Sequence, residues 1–109
     1  MTRGKLLSYL NEKYGANILE RMRKLDEEYN ELKEIIMEEM KNDDYSHRHC
    51  IDFVRRFKDE LADVNILVFH IAGILNTSQS KLLEYAYKKI KGREVDPNFM
   101  RYHPHEDKS

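Results

Sequence analysis

From Ser46 to Ala72 the chain carries neither glycine nor proline, while Cys50, Phe53, Val54, Phe57, Leu61, Val64, Val68 and Ile71 return every three or four residues. That is the period of one face of an α-helix, and it predicts a single long helix from about His47, with Asp44 or Ser46 as its cap and Gly73 and Asn76 at its end. The stretch "NILVFHIAGIL" adds Ile66 and Phe69 on other faces. A helix apolar on several sides needs neighbours on several sides. In a chain of 109 residues this favours completion by a second subunit.

The rest of the sequence repeats the helical pattern. Leu6, Leu7, Leu10 and Tyr14 predict a first helix from Lys5 to about Tyr14, ended by Gly15. Asn17 is placed to cap a second, along which Ile18, Met22, Leu25, Tyr29, Leu32, Ile36 and Met40 form an apolar stripe reaching about Lys41. Ser78 opens a fourth, with Leu82, Leu83, Tyr85, Ala86 and Ile90, closed by Gly92. With four glycines and two prolines, the fold expected is all-α, a four-helix, bundle-like domain over residues 1–93. Residues 94–109 contain both prolines and read as a polar, extended tail.

Nineteen basic against twenty acidic side chains give a net charge of -1, so no global field recommends nucleic acid or an anionic membrane. The lone Cys50 excludes an internal disulfide, and the opening "MTRGKLLSYL" lacks the apolar run of a secretory signal; the expected location is cytoplasmic. "HRHC", His47 to Cys50, lacks the second ligand pair of a structural zinc site and reads as a solvated helix start. His70 lies away from the main apolar face and is expected to be a satisfied, packed histidine or a subunit contact.

The acids follow a second pattern. "LDEEYNELKEII" and "FKDELADVNILV" match in kind at a constant offset: Leu25 with Phe57, Glu27 with Asp59, Glu28 with Glu60, Glu31 with Asp63, Leu32 with Val64 and Ile36 with Val68. On each helix the acids flank the apolar stripe on the same side, and antiparallel packing of helices two and three would bring Glu28, Glu31, Glu60 and Asp63 together. Four carboxylates in a half-buried site repel one another and resist desolvation. A divalent cation resolves both costs, and an all-oxygen donor set selects Mg²⁺, with Mn²⁺ as a substitute. Metal-assisted attack on a phosphate ester or anhydride is the chemistry expected of such a site.

"EEYNEL" followed at a distance by "ELAD" resembles the E-E-x-x-E and E-x-x-D motifs of the MazG-like nucleoside triphosphate pyrophosphohydrolases, and "DELADVNILVFHIA" is similar to the apolar helix that carries their second motif. The likeness covers about Leu25 to Arg93. It implies that Glu28, Glu31, Glu60 and Asp63 bind Mg²⁺, that Glu27 orients water and Glu60 takes part in catalysis, and that the products are a nucleoside monophosphate and pyrophosphate. It also implies a homodimer or tetramer and a role in nucleotide house-cleaning. Family members usually end in a basic phosphate-gripping motif; here "YKKIKGRE" supplies Lys88, Lys89, Lys91 and Arg93, with Gly92 where asparagine is common. The alternative expected from the residues is a catalytically silent helical interaction module.

Overall fold

The computed structural model describes residues 1–92; Arg93 and the 94–109 segment lie outside the described residues. The described chain is all-helical: α1 (Arg3–Tyr14), α2 (Ile18–Met40), α3 (His47–Ile74) and α4 (Gln79–Gly92). Among these residues no single helix is long and apolar enough to cross a membrane. The chain divides into two units, Met1–Thr77 and a second beginning at Ser78.

Local chemistry sets the ends. The side chains of Thr2, Asn17 and Ser46 accept from the N–H groups of Lys5, Glu20 and His49, each meeting one of the donors that a helix start leaves unpaired. Between α2 and α3, Asp44 accepts from the Ser46 N–H at 2.9 Å, so it shapes the turn while Ser46 caps the helix. Gly15 has φ 79°, a left-handed conformation that glycine adopts freely, and its N–H closes α1 onto Asn11. The end of α3 is a Schellman turn: Asn76 takes φ 59°, its N–H bonds Gly73 O, and the Thr77 N–H bonds Ala72 O.

Within the first unit, α2 packs along α3 and α1 packs on α3. Leu10, Ile35, Leu67 and Ala72 are its buried apolar side chains. Gly73 lets α1 approach: a Cβ there would collide with the side chain of Leu7. The line of α2 that is covered runs Ile18, Arg21, Leu25, Glu28, Leu32, Ile35 and Glu39. This corrects the expected stripe, because Met22, Tyr29, Ile36 and Met40 are exposed, as are Val54 and Leu61 on α3. The reason is geometric. With α1 lying on α3, α2 has one neighbour in this unit, and it presents the face that carries its acids as well as Leu25, Leu32 and Ile35.

In the second unit, the Ser78 hydroxyl accepts from the Lys81 N–H at 3.2 Å and so caps α4. No residue of α4 is buried; Leu82, Leu83 and Ile90 are exposed on a helix whose other side carries Lys81, Glu84, Lys88 and Lys91.

Candidate metal centre

The α2–α3 seam alternates apolar and ionic layers. Near the turn, His49 Nε2 lies 2.8 Å from Glu39 Oε2 and Arg56 Nη2 lies 3.0 Å from Glu38 Oε2. Ile35 follows, and then the acids. Ligand atoms from Glu28, Glu60 and Asp63 all fall within 4.8 Å of one another, and this is the grouping among the described residues that could hold a metal ion. Glu31 borders it, interacting with both Glu28 and Glu60. The structure thus draws together Glu28, Glu60 and Asp63 from the two matched motifs, with the exposed Glu31 at their edge.

Burial makes the arrangement costly. Glu28 is 8% exposed, and both Glu28 Oε2 and Glu60 Oε2 are buried without a hydrogen-bond partner. A buried acceptor left unpaired forfeits its hydration without compensation, and a carboxylate does so at higher cost than a neutral group. Burial, followed by the charges of Glu28 and Asp63, pushes the Glu60 carboxyl above its ordinary range. Asp63, although exposed, is also raised, by partial loss of hydration on its protein side, with Glu28 and Asp59 adding to the effect and Lys24 opposing it. Glu31 is raised chiefly by its hydrogen bond to Glu28. Glu31, Glu60 and Asp63 thus hold a proton, or any other cation, more readily than free carboxylates do.

Glu27 does not join the cluster; its side chain is 62% exposed and lies 3.5 Å from Lys24 Nζ. Lys24 also stands 3.2 Å from Glu28 Oε1. Sequence reasoning passed over Lys24, although its position one helical turn before Glu28 is the spacing of an i,i+4 ion pair. Beside the acids, on the turn side, a cleft of about 490 Å³ is lined by Glu31, Glu34, Ile35, Glu38, Arg56, Asp59 and Glu60. Lys88, Lys89 and Lys91 sit on α4 in the second unit, where Lys88 Nζ lies 3.3 Å from Glu84 and Lys89 Nζ stands over the Tyr85 ring.

Farther along the seam another polar layer is fully partnered. His70 is 1% exposed, and its Nε2 lies 2.8 Å from Asn11 Oδ1 of α1. Arg21 is buried too, paired with Glu20 at 2.7 Å and packed on the Tyr14 ring. Burial holds His70 below its ordinary pKa, Arg21 adds to that, and Glu20 opposes it. At the other end of α3, His47 and Cys50 are exposed.

The donor set of the acid layer is hard oxygen throughout, and its two orphaned buried oxygens are ones that a bound metal cation would satisfy. Compared with protein families, with curated proteins and with solved structures, the chain gives no match.

Proposed function

We propose that this protein is a Mg²⁺-dependent nucleoside triphosphate pyrophosphohydrolase, converting a (d)NTP to the (d)NMP and pyrophosphate in nucleotide pool control. The observation that carries the reading is the pair of unpartnered, buried carboxylate oxygens on Glu28 and Glu60, facing each other across two helices that bear matched acidic motifs. The resemblance of those motifs to the MazG-like family supports it and supplies the reaction.

Glu28, Glu31, Glu60 and Asp63 would hold the metal, with Mn²⁺ as substitute. Bound there, the ion neutralises charge that develops on phosphate oxygens. Glu27, at the exposed rim, orients the attacking water, and Glu60 accepts its proton. The water oxygen bonds to the α-phosphorus as the bridging bond to the β-phosphate breaks, and pyrophosphate leaves. By that resemblance alone, Lys88, Lys89, Lys91 and Arg93 would supply phosphate contacts. No covalent enzyme intermediate is needed.

The same reading makes the protein a cytoplasmic homodimer or tetramer in which a four-helix bundle is completed between copies. The exposed Met22, Tyr29 and Ile36 on α2, and Ile51, Val54 and Leu61 on α3, are its support, since apolar rows on a small domain favour cover. Those rows equally favour a second reading, a helical interaction module without catalysis. Purified protein with Mg²⁺, offered a panel of canonical and modified (d)NTPs, should release pyrophosphate from at least one, and Glu60→Gln should abolish the release. Orthophosphate as the sole product overturns the assignment. An interaction module would show no Mg²⁺ binding that disappears in Glu28→Gln.

A further inference from the structure

The seam is electrically lopsided about its acid layer. On the turn side the 490 Å³ cleft adds Glu34, Glu38 and Asp59 to Glu31 and Glu60, and its one cation, Arg56, is bound to Glu38 at 3.0 Å. On the α1 side, Lys24 reaches the edge of the layer, 3.2 Å from Glu28 Oε1 and 3.5 Å from Glu27 Oε1, with its side chain 40% exposed. Beyond it Arg21 is buried against Glu20 and cannot serve a ligand without losing that pair.

We infer that Lys24 is the cation that receives the phosphate chain of the substrate, and that in the free protein it stands in as counter-ion to the acids. The inference rests on the function proposed above and adds to it a residue and a direction of approach. Two facts argue for it. Lys24 touches the carboxylate oxygen of Glu28 that is not orphaned, so one buried acid is already half neutralised by a group that is free to swing outward. And a chain of phosphates with several negative charges is repelled by the acid-lined cleft on the other side, whereas a flexible ammonium donates three hydrogen bonds to whatever oxygen replaces the carboxylates.

Metal and lysine then compete for the same carboxylate. With a dication held by the layer, the Lys24 ammonium would lose its place on Glu28 and become available to the phosphate chain. In this arrangement Lys24 weakens metal binding in the absence of substrate and strengthens substrate binding once metal is present. A residue that merely props Glu28 in position would strengthen both.

Calorimetric titrations of wild type, Lys24→Met, Lys24→Arg and Arg56→Met test this, first with MgCl₂ alone and then with inorganic pyrophosphate at saturating Mg²⁺. Lys24→Met should bind Mg²⁺ about 3- to 10-fold more tightly, through loss of a competing charge. It should bind pyrophosphate at least about 10-fold more weakly, the loss of a charge-assisted hydrogen bond. Lys24→Arg should recover most of the pyrophosphate affinity, and Arg56→Met should leave it within about twofold of wild type. If Lys24→Met weakens both ligands, or leaves pyrophosphate affinity unchanged while Arg56→Met reduces it, the inference is overturned. Should wild type bind no Mg²⁺ in a Glu28-dependent way, the metal centre itself fails, a result separable from either of those.

Discussion

Two polar layers lie on the same helix pair, two turns apart, and they are built to opposite rules. Around His70 every buried polar group that defines the layer has a partner: His70 meets Asn11, and Arg21 meets Glu20 and the face of Tyr14. Around Glu28 the charges are alike, two buried oxygens have no partner, and the nearest cation reaches only the rim. A satisfied layer fixes how α1 sits on α3. An unsatisfied one is tolerable only if something from solution completes it, because the fold gains nothing from burying it empty. The contrast sets a compensated layer against an uncompensated one within a single seam.

The sharpest way to break the contrast is to neutralise one acid. Glu28→Gln keeps the shape and removes a buried charge, so Mg²⁺ affinity should fall by more than about 100-fold while the metal-free protein melts at a higher temperature than wild type. Thermal melts in EDTA and calorimetry with MgCl₂ read the two halves. A lower melting temperature for the variant in EDTA would mean that the acids stabilise the fold and that the layer is a structural network after all.

Breaking the other layer should do the reverse. His70→Ala opens a cavity and strands Asn11 Oδ1, and large-to-small changes at buried positions typically cost about 2–4 kcal/mol. Denaturant unfolding should show that loss, while Mg²⁺ affinity stays within about threefold of wild type. A comparable fall in metal affinity would show that the two layers are coupled through α3 and are not independent.

Much of this was legible in the sequence, for identifiable reasons. The glycine- and proline-free run gave the long α3, and the Asn17, Ser46 and Ser78 caps set starts within a residue, because capping depends on neighbours in sequence. The matched acids were visible through their offset, and His70 is packed and partnered, one of the two roles that its place off the main apolar face suggests. The face that α2 turns toward α3 was not legible. Met22, Tyr29, Ile36 and Met40 make the greasier row, yet Arg21, Glu28 and Ile35 are the buried ones. Burial is decided by which helix lies opposite, and α1, by settling on α3 through Gly73 and Leu7, leaves the apolar row of α2 without a neighbour in its own unit. Lys24 escaped notice for a related reason: an i,i+4 pair is ordinary until its acid is known to be buried.

The smallest effect expected is also the one that separates the layers most cleanly, since they respond to acid with opposite signs. Glu60 and Asp63 have folded pKa values raised above their unfolded ones. The folded protein therefore binds protons more tightly, and stability is lost as pH rises from the unfolded carboxyl range through the raised values. His70 has a folded pKa lowered from 6.5, so its contribution is complete above that value and is lost as pH falls through it, when the unfolded imidazole takes up the proton first. In EDTA, the double variant Glu60→Gln, Asp63→Asn should lose melting temperature between pH 7.5 and 5.5. His70→Gln, which removes the histidine layer's opposing contribution, should gain over the same interval, and wild type should lie between. Saturating Mg²⁺ should reverse the sign for His70→Gln, because protons then displace a bound stabilising ion. Parallel slopes for the two variants would show that the acid layer is as well compensated as the histidine layer, and the case for a ligand there would fall with it.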